Sequence, residues 1–482
     1  MKILFATSEA QPLVKTGGLA DVCGSLPVAL KRLRHDVRLV LPAYRTAVAR
    51  AGELRIAAEL DLPGIAHPVR VFEGRLPGSH VVLYLVDSPH HFYREGNIYT
   101  GPDGQDWPDN AERFGLFCRA VVELAMARGG LDWRPEVVHC HDWQSGLVPA
   151  LLSHEPQRPT TIFTIHNLAY QGLFSWDHFQ ALDLPADLWS MHALEFHGGF
   201  SFIKGGLAFA DWITTVSPTY AREITTPRYG CGLEGLLQHR ASRLVGILNG
   251  IDYAAWDPAR DPLIPRNYDT HSLHLKAENK AALQRHFGLP EDPEAILLGH
   301  VGRLVEQKGV DLILAVLPEL LQQRVQLVVL GSGQPHYEQA LQATARRFPG
   351  HMGIHVGYDE QLAHRIEAGA DIFLMPSRYE PCGLNQLYSL RYGTMPVVHR
   401  TGGLADTVVD ATDAALADGT ATGFVFDDPT PEALLAALRR ALQLYGRQDA
   451  WRRLQITAMR QDFSWTHSAR EYVALYRQAL GT

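Results

Sequence analysis

The sequence predicts an α/β protein of two doubly wound domains, and three observations carry that prediction. Short apolar runs alternate with helical patterns, the alternation occurs independently in each half, and 482 residues that are 46% hydrophobic overfill one core but suffice for two. The runs are "KILFAT", "DVRLVLP", "HVVLYLV", "EVVHCHD" and "TIFTIHN" in the first half, then "AILLGHVGR", "VQLVVLG", "DIFLMPS" and "MPVVHR" in the second. Continuous apolar runs, rather than alternation of apolar with polar residues, mark parallel strands buried on both faces.

The change-over falls near residue 248, in "RLVGILNGIDYAAWDPARDPLIP", where a last strand gives way to a Pro- and Asp-rich stretch of little periodicity. The expected domains are residues 1–248 and 249–462. In the tail, "DFSWTHSAREYVALYRQALGT", Trp465, Tyr472, Leu475 and Tyr476 recur at helical spacing. That pattern fits a terminal helix of the second domain or one that crosses back onto the first.

Composition narrows the function. A formal net charge of -8 and a pI near 6.3 give no basic stripe for nucleic acid, so any phosphate recognised here is recognised locally. Five cysteines, Cys23, Cys118, Cys140, Cys231 and Cys382, stand far apart with no CxxC pair, which points to a reducing compartment and to packing roles. The start, "MKILFATSEA", turns polar too early for a signal peptide, and no apolar run approaches the roughly 18 residues of a membrane span. A cytoplasmic protein without membrane contact is expected.

The hexapeptide TGGLAD occurs twice, at residues 16–21 after Lys15 and at 401–406 after Arg400. In the first copy a strand, a loop and a Gly pair precede an amphipathic helix, so the amides near Gly17 and Gly18 are expected to point outward at a helix N-terminus, where anions bind, with Lys15 beside them. The competing reading is a glycine pair that only permits a tight strand-to-helix turn. The stretch is not the GxGxxG dinucleotide fingerprint, which weighs against a dehydrogenase.

Three further loops share the position where open α/β sheets place ligands, the carboxyl end of a strand. "VVHCHDWQSGL" brings His139, His141 and Asp142, "FTIHNLAYQG" brings His166 and Asn167, and "VGRLVEQKG" brings Arg303 and Lys308. Each has a structural alternative: a satisfied buried histidine, an N-capping Asp142, a solvated cation pair. A metal site at His139, His141 and Asp142 lacks HExxH or a carboxylate cluster, so no metal is expected. After "DIFLMPS", the stretch "SRYEPCGLNQLYSLRYG" sets Glu380 before a helix whose start, Gly383 to Asn385, offers free amides to a phosphate while the carboxylate meets a sugar hydroxyl; the competing reading of Glu380 is a plain capping carboxylate.

Taken in order over nearly the whole chain, KTGGLADV, HDWQSGL, IHNLAYQG, LNGID, GRLVEQKG, SRYEPCGLNQLY and RTGGLADT closely resemble the motifs of bacterial glycogen synthase and plant starch synthase, glycosyltransferase family 5. The resemblance implies the GT-B fold, two Rossmann-like domains facing across a cleft, with residues 463–482 returning to the N-terminal one. It implies transfer of glucose from ADP-glucose to the non-reducing end of glycogen or another α-1,4-glucan, with retention and without a cofactor. By position it makes Lys15 a donor-binding lysine, Arg303 and Lys308 a diphosphate clamp, Glu380 the glutamate against the donor glucose and His166 a histidine near the transferred sugar. Asp142 then lies on the acceptor side and Tyr358 against the adenine, and Gly18, Asp21, Asn167, Asn249, Cys382, Gly383, Leu384 and Asn385 bind substrate. The family commonly has HDWH and CGLT where this chain has Gln144 and Asn385. Other classes to be separated are a GT-B enzyme that uses UDP-glucose and an inactive glucan-binding protein.

Overall fold

In a computed structural model, which describes residues 1–65 and 67–482, the chain divides into two units. The first comprises Met1–Gly250 with Trp465–Thr482, and the second Ile251–Ser464.

The first unit is built on a nine-stranded sheet. Across the sheet the strands run Leu244–Gly246, Trp212–Thr215, Thr160–Ile165, Val137–His141, Lys2–Ala6, Asp36–Pro42, Val82–Asp87, Val69–Arg75 and Arg55–Leu60. The pairings are parallel as far as Val82–Asp87, with Ile3 opposite both Val37 and Val137. Ile3, Leu4, Phe5 and Ala6 are fully buried, as expected of a central strand covered on both faces. The last two strands are antiparallel, a departure from the all-parallel expectation. In Arg55–Leu60 only Ala58 and Leu60 are buried, so this edge strand alternates and contains no continuous apolar run to be recognised. A second addition is a small antiparallel sheet of Leu173–Phe174, Gly199–Ser201 and Glu195–Phe196.

Helix Gly18–Arg32 covers this sheet with Leu19, Val22, Cys23, Leu26 and Leu30. The C-terminal helix Trp465–Leu480 packs on it through one stripe, Trp465, Ala469, Tyr472 and Tyr476, all buried. The Tyr476 hydroxyl lies 2.7 Å from His139 Nδ1, which joins the last helix to the sheet.

The second unit holds a six-stranded parallel sheet in the order Met352–Val356, Val325–Gly331, Ile296–Val301, Ile372–Met375, Met395–His399, Phe424–Phe426. Numbered within the unit this is 3-2-1-4-5-6, the Rossmann order, and its switch point lies between Ile296–Val301 and Ile372–Met375. Successive residues of each strand enter opposite cores: Leu298, Leu327, Leu374 and Val397 one, Leu297, Val328, Phe373 and Val398 the other. Four of the cysteines are buried, but Cys231 is exposed and has no packing role.

Candidate active site

In the first unit the switch point is the strand Lys2–Ala6, from which the chain turns one way to Asp36–Pro42 and the other to Val137–His141. The loops that follow Ala6, His141 and Ile165 therefore open at one edge; they carry Lys15, Asp142, His166 and Asn167, and the first of them leads into the helix turn with Gly18 and Asp21. Lys15 Nζ meets Asp21 Oδ1 at 2.7 Å, a partly exposed pair. The amides ahead of helix Gly18–Arg32 are not open as expected. Glu9, 2% exposed, accepts from Thr16 N at 2.5 Å, Thr16 Oγ1 at 2.6 Å and Gly17 N at 3.3 Å, and from the Tyr99 hydroxyl at 2.6 Å. Neither Glu9 nor Tyr99 is flagged by sequence. Glu9 is a single acid in a polar loop, and Tyr99 reaches it from 90 positions away.

The histidines divide by environment. His139 uses both ring nitrogens, on the Tyr476 hydroxyl at 2.7 Å and the Thr164 hydroxyl at 2.6 Å, so it is the satisfied core histidine of the structural reading and no metal ligand. His141 stacks on Phe5 and sets its Nδ1 3.0 Å from His166 Nε2. Burial holds His166 down at about 3, and His141 well below its ordinary value, so both rings are neutral at working pH and one ring N–H joins them.

Asp142 departs from the capping reading. It precedes the short 3-10 turn Trp143–Ser145 but its carboxylate makes no cap; Oδ1 accepts from His166 N at 2.7 Å. Its backbone is strained, at φ 56 and ψ -179, in a region that L residues rarely adopt and that is held where neighbours enforce it. Asn167 Oδ1 accepts from Ala169 N at 3.1 Å. Asn249 ends this unit with a buried Oδ1 that makes no hydrogen bond, and Gln144 likewise buries an unpaired Oε1.

Burial pushes Asp142 up from 3.8 to about 7; the amides of His166 and Asn167 oppose this and the charge of Glu9 adds to it. The folded state thus keeps a proton that the unfolded chain releases near pH 4. Stability from this group falls as pH rises from about 4 to about 7, in total by roughly 2–4 kcal/mol. Asp142→Asn is expected to raise the melting temperature at pH 8 relative to the parent and to leave it nearly unchanged at pH 4, while activity falls. Thermal unfolding of both proteins across that range checks it, since contributions from the buried histidines are shared and cancel.

In the second unit both motif loops border the switch point. "GRLVEQKG" follows Ile296–Val301, and "SRYEPCGL" follows Ile372–Met375. Lys308 Nζ lies 2.5 Å from Glu380 Oε2, which also accepts from Ser377 Oγ at 3.1 Å. Glu380 is thus the buried partner of a cation, not a helix cap. Arg303 Nη2 donates to Gln307 Oε1 at 3.1 Å. The two loops are locked together: Gln307 Nε2 donates to Tyr379 O, Arg378 N to Gln307 O, and a Cβ on Gly309, at φ 71, would meet Pro376 O at 2.2 Å.

The helix after Glu380 runs Asn385–Tyr392, so Leu384 is its N-cap residue and Cys382, 4% exposed, and Gly383, at φ 75, form the turn before it. Asn385 spends one amide N–H on Val301 O at 2.7 Å, which ties the helix start to the strand that leads to Arg303. Tyr358 is 76% exposed on the loop after Met352–Val356.

The second TGGLAD copy has a role that the first lacks. A Cβ on Gly402, at φ 44, would lie 1.9 Å from Glu380 O, and one on Gly403 2.1 Å from Cys382 O; Gly403 N donates to Glu380 O at 3.1 Å. These glycines let the backbone hold the EPCGL turn. At Gly17, in the first copy, a Cβ would meet nothing within 4 Å.

A Rossmann sheet bearing cations, a buried carboxylate and a helix start at its switch point, in a chain that also holds a second doubly wound unit, is the architecture of GT-B glycosyltransferases. Residues 2–239 match the family model of the starch synthase catalytic domain, and 282–455 that of glycosyl transferases group 1. The glycogen synthase of Thioalkalivibrio sulfidiphilus is 60% identical over 479 residues, 99% of each chain, and glycogen synthase 1 of Methylococcus capsulatus 57% over 480 residues, 100% of this chain and 97% of that one. Among solved structures, the catalytic domain of starch synthase IV from Arabidopsis thaliana, bound to ADP and acarbose, superposes with a TM-score of 0.90 at 33% identity, covering 100% of this chain and 99% of that one. The chain belongs to the glycogen synthase and starch synthase family and is a glucosyltransferase.

Proposed function

We propose that this enzyme transfers glucose from ADP-glucose to the non-reducing end of an α-1,4-glucan such as glycogen, with retention. The second unit serves the nucleotide sugar; the first serves the acceptor and contributes the Lys15 loop. The observation that carries the reading is the Lys308–Glu380 pair, its carboxylate buried, at a Rossmann switch point, with Arg303 on the same loop as Lys308. Breaking a glycosyl phosphate bond builds positive charge on the sugar and negative charge on the nucleotide. Arg303, Lys308 and the amides at Asn385 stabilise the departing diphosphate, and Glu380 stabilises and orients the sugar. Glu380 is engaged by Lys308 and Ser377, which suits a positioning carboxylate better than a nucleophile. The acceptor hydroxyl then attacks on the face from which the diphosphate leaves, and a leaving phosphate oxygen takes its proton. The starch synthase IV structure with ADP and acarbose supports a nucleotide and a glucan as the two ligands. No helix among the described residues is long and apolar enough to cross a membrane, and we place the reaction in the cytoplasm.

Glucose incorporation into glycogen from ADP-glucose and from UDP-glucose, side by side, tests this. A clear preference for ADP-glucose is expected; equal use of UDP-glucose overturns the donor, and no release of either nucleotide leaves a glucan-binding protein. In the same assay Lys15→Ala is expected to lower kcat/KM for ADP-glucose roughly 10–100-fold, the worth of one charge-assisted phosphate contact. Arg400→Ala should cost less, because the motif resemblance gives donor binding to Lys15 and not to Arg400, which is half exposed and paired with Asp427. Equal losses would mean that both TGGLAD copies bind donor.

A further inference from the structure

We infer that Glu9 is a positioning residue for the nucleotide: its carboxylate fills the amide cradle ahead of the TGGLAD helix and holds the Lys15 loop in register for the donor diphosphate. The inference rests on the donor role proposed above for that loop.

The helix Gly18–Arg32 has glycine as its N-cap residue, which offers no side chain to satisfy the first amides. Glu9, from the loop after the preceding strand, instead holds the two amides just ahead of the helix, with one oxygen on Thr16 N and Gly17 N and the other on Thr16 Oγ1 and the Tyr99 hydroxyl. All of the acceptor capacity that faces the loop is in use. Its own backbone is fixed, since Glu9 N donates to Thr7 Oγ1 at 3.3 Å and Thr7 Oγ1 donates to Glu9 O at 3.0 Å. Tyr99 is anchored in turn by Ser8 Oγ at 2.7 Å and through Asn110 Nδ2, which donates to Tyr99 O at 3.0 Å. The loop between strand and helix is further clamped where a Cβ on Gly24 would meet Gln11 O at 2.4 Å. Gly17 has no such clamp, as nothing lies within 4 Å of its missing Cβ. Glu9 is therefore the group that decides where the Thr16–Gly17 backbone, and with it Lys15, is held.

Hydrogen bonding and charge make opposite forecasts. Glutamine keeps an oxygen for the two amides, and its NH2 donates to the Thr16 and Tyr99 hydroxyls, which turn to accept. Aspartate keeps the charge and withdraws the acceptors by one methylene. If Glu9 positions the loop, Glu9→Gln keeps KM for ADP-glucose within about threefold of the parent, while Glu9→Asp and Glu9→Ala raise it by roughly tenfold or more with kcat within threefold and KM for glycogen unchanged. In ligand-free protein, hydrogen exchange of the Thr16 and Gly17 amides stays slow in Glu9→Gln and quickens in the other two. The opposite order, Glu9→Asp normal and Glu9→Gln impaired, assigns the effect to charge and overturns the inference. So do parent KM values in Glu9→Asp, or losses of kcat and of both KM values together, which indicate general misfolding. Should Glu9→Ala fail to fold, the Gln and Asp pair decides alone. If the parent turns over no nucleotide sugar, the proposed function fails instead, and the exchange measurement still reports on the brace.

Discussion

Glu380→Gln is expected to lower kcat by at least about a hundredfold and to leave ADP affinity within a few fold. The substitution keeps size and removes one charge from a nearly buried site where Lys308 lies 2.5 Å away and Ser377 Oγ 3.1 Å away. Glutamine still accepts from one of these neighbours, so the EPCGL turn, which is held by backbone contacts with Gly402 and Gly403, should keep its shape. What is lost is negative charge facing the sugar as positive charge develops there, and an interaction made chiefly in the transition state appears in kcat rather than in ground-state binding. Releasing Lys308 from its partner leaves that cation for the diphosphate, which is why ADP affinity should not fall. Single-turnover kinetics with titration of ADP check both halves, and a variant with parent kcat would remove Glu380 from the reaction.

The second large effect is expected at a residue that touches no substrate. Gly402→Ala places a Cβ 1.9 Å from Glu380 O at a φ of 44, where the obstacle is backbone and cannot swing aside. Strain and overlap together should cost about 3 kcal/mol or more, and relief by movement of the EPCGL turn should carry Glu380 out of place. Both the melting temperature and kcat/KM are expected to drop, the latter by about a hundredfold or more. The equivalent Gly17→Ala sits at φ -159 with open space around it and should leave the melting temperature unchanged. Thermal unfolding and steady-state kinetics on the two variants make the comparison. Equal melting temperatures would show that the two glycine pairs are interchangeable turns after all.

The fold was legible where burial writes a pattern. Ile3–Ala6 and Leu327–Leu330 are covered on both faces, so their residues are apolar without a break. The hairpin of Arg55–Leu60 and Val69–Arg75 was not legible, because an edge strand with one wet face mixes Arg, Glu and Ala with its apolar residues. The loops that carry the candidate chemistry could be named, since Gly pairs, His–Asp and cation motifs after strand-like runs are local features. What each side chain does there was not available locally. Open amides were expected at Gly17 and Gly18, and the structure gives that of Gly17, with Thr16 N, to Glu9; Asp142 and Glu380 each had a capping alternative, and neither caps.

The sequence by itself determined that the chain forms two doubly wound α/β halves and that its motif set is that of glycogen and starch synthases. Only the tertiary structure decided which groups meet. Lys308 and Glu380 are 72 residues apart and touch because the strands that precede their loops are neighbours in the 3-2-1-4-5-6 order, which no local pattern encodes. The same holds for the repeated TGGLAD. Six identical residues lead into a helix in both places but do not take one conformation: Gly17 is extended, at φ -159, with Glu9 on its amide, whereas Gly402 stands at φ 44 against the backbone of the Glu380 turn. Local sequence sets the tendency to open a helix after a strand, whereas the final backbone conformation and the contact partners depend on strand adjacency, and adjacency is settled by packing of the whole sheet.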